Sequence, residues 1–500
     1  MKPPRILACV AVLVLGVSIP AAEPRIDPDL FLAHIKYLAG ERLNGRGNGT
    51  PELGAAARYI AEEFRARGLA PAAGNGKYCQ QFSVTLNPRR GIANRLRWSD
   101  GVQTHELSPD TDFQPLSFSS TTRVSAGVVF AGYGITAREY GYDDYAGIDV
   151  HGKVVIVLRH EPREFDAKGP FAGRAYTIHS QLPWKAATAH AHGAAAMLYV
   201  NDIASHSGES DEFEPFSRTV GSGNEGIALV QVKAAAVDRL LAAAGKNLKG
   251  LAAAMDKGPH PQSFVLPDAL RVELETEVHG EPRAVCNVAG YLEGSTAEYI
   301  VFGAHYDHIG TGEQFSMEPS AAGKTHYGAD DNASGVAGII ELAHVLATRP
   351  KHRRGYLFLA FAGEELGLLG SSYWVRHPGI PLDKAVAMID LDMIGRIRGR
   401  HIQIGGEPSA KMRKLLNTLS VRNKLEPEYA EPPGYSASDH SAFAARPMPA
   451  LFFFSGLHPD YHTPRDTWDK INAAGSADLL RLVMELGEHL ADAARPGEVD

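Results

Sequence analysis

His305 and Asp307 lie two apart in His305-Tyr306-Asp307-His308, directly after the apolar run Val301-Phe302-Gly303-Ala304. Side chains two apart on an extended strand end point the same way. A carboxylate there can accept one imidazole N–H and leave the other nitrogen for a metal. Asp330 and Asp331 stand in the glycine-flanked turn Gly328-Ala329-Asp330-Asp331-Asn332-Ala333-Ser334-Gly335, before an apolar helical stretch. An N-terminal cap is the ordinary role for an acid in such a turn. It suits Asp331 or Asn332 and leaves Asp330 over. Glu364 and Glu365 follow the apolar strand Leu357–Ala362; such adjacent acids repel unless they are solvated or a cation neutralises one. Asp390 and Asp392 share a face at the end of another buried stretch. They need a salt bridge, with Arg396 or Arg398, or a cation. His462 lies in the loop Asp460-Tyr461-His462-Thr463-Pro464, after Leu451–Phe454.

The elements that must position these groups alternate. Tyr299–Ala304, Tyr356–Ala362, Ala385–Met393, His401–Ile404 and Pro449–Phe454 read as strands. Ala333–Thr348, Leu366–Arg376, Ala410–Val421 and Ala474–Ala494 read as helices. That alternation predicts an α/β fold with a mostly parallel central sheet and helices on both faces. Ligands of such sheets bind beyond the carboxyl ends of the strands, where the His, Asp and Glu residues gather. Nitrogen and oxygen donors without thiolates suit zinc or a related transition metal in a catalytic role. Three carboxylates balance two divalent ions once one hydroxide is added, whereas a single ion leaves the acids in excess.

Upstream, residues 28–69 carry apolar residues at helical spacing, broken by Asn44–Pro51 into two helices. Residues 116–270 differ in texture. Val124–Phe130, Lys153–Leu158 and Ala194–Val200 read as strands, Ala186–Gly193 as a helix, and the whole as an inserted β-rich domain. Lys2 and Arg5 precede the apolar run Ile6–Ile19, and Ala21-Ala22 follow. Residues 1–22 therefore read as a signal peptide, which points to a secreted or periplasmic protein. No later apolar stretch reaches membrane-spanning length. Export permits a Cys79–Cys286 disulfide; two buried thiols are the alternative. The chain has 500 residues and a formal charge of −8, which disfavours a general nucleic-acid binder. No glycine-rich phosphate loop, serine nucleophile elbow or His-Glu-x-x-His motif is present.

Gly303-Ala304-His305-Tyr306-Asp307-His308, the Gly328–Gly335 turn, Gly363-Glu364-Glu365, Leu391-Asp392-Met393 and Tyr461-His462-Thr463-Pro464 occur in this order. In motif order and rough spacing, residues 283–490 resemble the co-catalytic dizinc peptidases of clan MH, the group of leucyl aminopeptidases, aminopeptidase Y and glutamate carboxypeptidase II. Residues 126–202 more weakly resemble a protease-associated domain. The resemblance implies domains at 23–115 (helices completing the catalytic domain), 116–270 (insert) and 271–500 (catalytic). It implies two Zn²⁺ per chain, bridged by Asp330, with His305 and Asp392 completing one site and Glu365 and His462 the other. Glu364 would be the general base, Asp307 would orient His305, and Tyr461 would offer its hydroxyl to the oxyanion. The implied activity is exopeptidase action on peptides, an aminopeptidase first. A carboxypeptidase or glutaminyl cyclase of the same fold is the alternative, and a non-catalytic receptor a different class. His308 and His458 are expected to support the site or lie at the surface, His190 and His192 to be solvated, and Ser438-Asp439-His440 to line the pocket or form a structural turn.

Overall fold

The computed structural model describes residues 25–493 except 138–139, 165, 167–170, 172–176, 203–209, 217–225, 259, 313–314, 407, 430–437 and 445–447. The predicted signal segment, 1–22, lies outside the described residues. Two helices open the fold. α1 (Pro28–Leu38) starts where the Asp27 carboxylate accepts from the backbone of Asp29 and Leu30, and it buries Phe31, His34, Ile35 and Leu38. α2 (Pro51–Ala66) starts where the Thr50 side chain accepts from Leu53 N–H, and it buries Leu53, Ala56, Ala57, Ile60 and Phe64. Both carry proline in the first turn, where no hydrogen bond is lost.

The main sheet contains β1 (Cys79–Arg90), β2 (Val278–Leu292), β3 (Tyr299–His305), β4 (Gly355–Phe361), β5 (Ala385–Leu391), β6 (His401–Gly405), β7 (Glu426–Tyr429) and β8 (Ala450–Phe454). The pair Ala70–Pro71 joins at the edge, and the order runs Ala70–Pro71, β2, β4, β3, β5, β8, β6, β7, with β1 also on β2. β4, β3, β5 and β8 are mutually parallel, while β2 against β4 and β6 against β8 are antiparallel. The expected parallel core is present and has antiparallel flanks.

β3 and β4 are buried along their whole length because both faces are covered. Ile300, Phe302 and Ala304 pack with α1, α2, α3 (Gly335–Leu346) and α6 (Ala473–Asp492). Tyr299 and Val301 point the other way, against Trp374 and Val375 of α4 (Leu369–Arg376) and Phe443 of the short helix His440–Ala444. α5 (Ala410–Arg422) adds Met412 and Leu416 to the first core. No helix among the described residues is long and apolar enough to cross a membrane.

A second nine-stranded sheet runs from Arg95–Ser99 to Arg271–Thr276 and has its own cores. Its centre is four parallel strands, Thr122–Phe130, Val154–Leu158, Ala196–Val200 and Ala228–Val232. The second sheet draws strands from outside the expected 116–270 as well as from within it. Arg95–Ser99, Thr104–Leu107 and Phe113–Pro115 belong to the second sheet, whereas β1 belongs to the main one. Arg95–Ser99 alternates exposed and buried residues, but at 5, 4 and 3 residues these early strands are too short for a period to stand out in the sequence.

Cys79 and Cys286 are joined by a disulfide across β1 and β2, spanning 207 positions of sequence. Peptide mapping without reduction should recover the two cysteine peptides linked. Cys286→Ser should cost about 2–5 kcal/mol of unfolding free energy, read by urea titration. An unlinked map, or an unchanged midpoint, would contradict this pairing.

Candidate metal centre

β3 ends at His305, β4 runs out into Glu364 and Glu365, β5 into Asp392, and β8 into the loop bearing His462. Adjacent parallel strands thus deliver their terminal side chains to one place. Asp331 reaches the same place from the turn before α3. His305 Nε2 lies 3.3 Å from Asp331 Oδ1 and 3.3 Å from Asp392 Oδ1. His462 Nε2 lies 3.1 Å from Asp331 Oδ2 and 3.1 Å from Glu365 Oε2. Donor atoms of His305, Asp331 and Asp392 fall within 4.8 Å of one another, as do those of His308, Asp331, Glu365 and His462. Asp331 is common to both groups and turns one oxygen to each.

Of the residues expected to hold metal, His305, Glu365, Asp392 and His462 come together and Asp330 does not. Asp331 takes the shared position. Its backbone is extended (φ −103°, ψ 97°) rather than helical, and in an extended chain adjacent side chains leave on opposite sides. Asp330 turns away from the cluster. Its Oδ1 accepts from Gly395 N–H at 2.6 Å and Ser334 Oγ–H at 3.1 Å, and its Oδ2 lies 3.2 Å from His458 Nε2. The cap expected of Asp331 or Asn332 falls to Asn332, whose Oδ1 accepts from Gly335 N–H at 2.8 Å.

Asp307 also departs from expectation. The partner of His305 Nδ1 is the Asp307 backbone oxygen, at 3.2 Å; the carboxylate stands 3.9 Å away. That carboxylate instead accepts from the backbone N–H groups of Glu364 and Glu365, at 3.2 and 3.3 Å. The salt bridge considered for Asp390 or Asp392 does not form. Asp392 Oδ2 accepts from Ser438 Oγ–H at 2.9 Å, Asp390 accepts from His440 N–H at 2.9 Å, and Arg396 pairs with Asp460 at 3.0 Å. Ser438-Asp439-His440 is thus a buttress behind the strand-end acids.

Sequence reasoning missed Asp331, because two adjacent acids look alike until the backbone is known. It also set His308 aside. His308 is buried beside Asp307, with Nδ1 2.8 Å from Glu365 Oε1. His458 is buried against Asp330, while His190 and His192 are exposed, as expected.

The electrostatics record a surplus of negative charge. Burial raises the Glu364 carboxyl well above its ordinary range, and the charges of Glu365, Asp392 and Asp439 add to this. Burial works against a charged His305, yet Asp392, Glu364 and Asp331 hold its ring protonated well above the ordinary histidine value. Burial opposes the charge on Asp331 too, but bonds from His305 and His462 keep it ionised. Buried carboxylates need compensating charge, and cations held by these nitrogen and oxygen donors would supply it. The residues present fit zinc.

Residues 287–487 match the model of peptidase family M28, so the chain carries an M28 peptidase domain. A probable leucine aminopeptidase of Arthroderma otae is 29% identical over 217 residues, 41% of this chain and 57% of the relative. Aminopeptidase YwaD of Bacillus subtilis is 31% identical over 164 residues, 29% of this chain and 34% of the relative. The matched stretch thus spans little more than half of the first relative and a third of the second. An aminopeptidase from Aneurinibacillus sp. strain AM-1 aligns over 95% of this chain and 96% of its own, at 22% identity and a TM-score of 0.48.

With no cation bound, Glu365 is drawn from 4.5 to about 2 and His462 raised from 6.5 to about 11; in each case burial is outweighed by the attraction between them and the bonds around them. The Glu365 contribution to stability is complete above 4.5 and is lost as pH falls towards 2. The His462 contribution is complete below 6.5 and is lost as pH rises towards 11. Zinc requires these ligands deprotonated. Zinc should therefore raise the Tm of chelator-treated protein more at about pH 8 than at about pH 5.5. Equal shifts by calorimetry would argue that zinc does not bind here.

Proposed function

We propose that this protein is a zinc-dependent aminopeptidase that removes N-terminal residues from peptides, exported by means of residues 1–22. The observation that carries the reading is the placement of Asp331, whose two oxygens address two separate groups of donors. Asp331 would bridge two zinc ions, with His305 and Asp392 on one side and Glu365 and His462 on the other. His308 stands against the Glu365 oxygen that His462 leaves free. Bound zinc would acidify a water and polarise the scissile carbonyl.

The chain's own groups supply the remainder. The Glu364 carboxyl points into the cluster, 4.0 Å from His305 Nε2, and is the proposed acceptor of the proton from the attacking water. It would then pass that proton to the departing amine, a role typically worth about 10²–10⁴-fold. Tyr461 stacks on His462 with ring centres 3.9 Å apart. Burial first, then the charges of Asp331, Glu365, Glu364 and Asp392, raise its phenol far above the ordinary value, so it stays a hydrogen-bond donor to an oxyanion.

Two observations favour an aminopeptidase over a carboxypeptidase. Glu364 is an acid in excess of the proposed zinc ligands, which suits a substrate ammonium group better than a carboxylate. Of two arginines close to the strand-end acids, Arg396 pairs with Asp460 through Nη2, and the bonds of Arg46 among the described residues go to backbone carbonyls.

A panel of free-amine, N-blocked and C-blocked peptides, with zinc supplied, tests this directly. Only free-amine peptides should be cleaved, and a chelator should abolish cleavage. Preference for N-blocked substrates would overturn the aminopeptidase reading. Glu364→Gln should lower kcat by about 10²-fold or more with zinc still bound; a fully active variant would remove Glu364 from the base role.

A further inference from the structure

The segment between α1 and α2 runs directly beneath the site. His308 N–H donates to Arg46 O at 3.2 Å, and Gly310 N–H donates to Gly45 O at 3.0 Å. The approach is close enough to require glycine at 45, where φ is +73° and a Cβ would lie 2.4 Å from the carbonyl oxygens of Gly310 and His326. This alignment carries the next side chain, Asn48, to the carboxylate of Asp307.

Asn48 is buried, and its Nδ2 donates to Asp307 Oδ2 at 2.7 Å. A carboxylate accepts and cannot donate, so this contact fixes the orientation of the amide. The other end of the amide, Oδ1, is buried and has no hydrogen-bond partner among the described residues. A side chain that leaves one polar atom unsatisfied loses stability there; its single bond to Asp307 is what the position supplies. Asp307 uses its two oxygens to hold the backbone of Glu364 and Glu365. The chain of contacts therefore runs from Asn48 through Asp307 to the peptide groups that aim the base and its neighbouring ligand. Gly363, at φ +75°, completes the same turn beneath Asn48.

We propose that Asn48 is a positioning residue for catalysis: by donating to Asp307 it fixes where Glu364 and Glu365 stand. This rests on the reading of Glu364 as base. Asn48→Ala removes the donor, and Asn48→Asp keeps the shape while setting a second carboxylate against Asp307. Both variants, prepared as full zinc-loaded chains, should lose about tenfold or more in kcat, because small misplacements of a reacting group are costly. KM should stay within about twofold and zinc content should be unchanged, since no contact to substrate or metal is removed. Hydrogen exchange by mass spectrometry over Ala362–Leu368 should be faster in both variants. A kcat within about twofold of wild type in both variants would overturn the proposal, as would a loss confined to zinc content or melting temperature. If wild-type protein cleaves no peptide, the aminopeptidase reading falls by itself. The exchange comparison then decides the Asn48 contact, and unchanged exchange overturns it.

Discussion

Burying many carboxylates in one place is the constraint on which the rest of this structure depends. Asp307, Asp330, Asp331, Asp390, Asp392, Asp439 and Asp466 are all buried around the strand ends, beside Glu364 and Glu365. Such groups cannot stay charged without partners. The chain answers with layers. The inner acids, Asp331, Glu365 and Asp392, face histidines and one another, the arrangement that cations held there would balance. Outer acids grip the backbone that carries the inner ones. Asp466 Oδ2 accepts from the N–H groups of Asp330 and Asp331, at 2.9 and 3.1 Å. Asp307 does the same for Glu364 and Glu365, and Asp390 for His440. Asp466 and Asp307 thus spend carboxylate oxygens on the amides of the turns that carry Asp331, Glu364 and Glu365, which fixes those turns.

Arg46 supplies a buried positive charge to this arrangement and pairs with no acid among the described residues. Its guanidinium donates to the carbonyls of Tyr306, Leu38, Tyr327 and Gly328, at 2.6–2.9 Å. Burial lowers its pKa to about 10, while the charges of Asp331, Asp307, Asp466 and Glu365 act against that fall. The N-terminal segment is therefore part of the site although it contributes none of its donor atoms. It ties the end of β3 to the turn before α3, so His305 and Asp331 are held at a fixed separation.

The legibility of the sequence follows from the range of the forces involved. β3, β4, β5 and β8 were plain because burial on both faces makes each a continuous apolar run, and the site was plain because its residues follow those runs. What a single residue faces was not plain. Asp330 and Asp331 differ in role only through one extended backbone conformation, and helix-cap reasoning assigned the wrong one to the cluster. His308 sits three positions beyond the end of β3 at His305, where direction is set by the segment packed alongside, Gly45–Gly47, some 260 residues away in sequence. The antiparallel flank β1–β2 escaped notice because the outer half of β2 is exposed and carries no apolar period.

That flank also explains how a second sheet can be inserted without loosening the site. The chain leaves the main sheet along β1 and returns along β2, paired from Cys79–Val288 out to Arg90–Val278. The second sheet is mounted beyond the far end of this ladder and has its own cores, so its internal packing does not determine where the ligands stand. The two parts meet again at one described place. Trp184, from the insert's helix Leu182–Ala191, packs against the core that holds Trp374 and Phe443, and Ile178–Ser180 lies against His440–Ala444. Just before that helix, Ser438 braces Asp392, and His440 braces Asp390. The insert therefore bears on the candidate metal cluster through the buttress of a single strand end, while the other candidate ligands are fixed within the main sheet and the N-terminal segment beneath it.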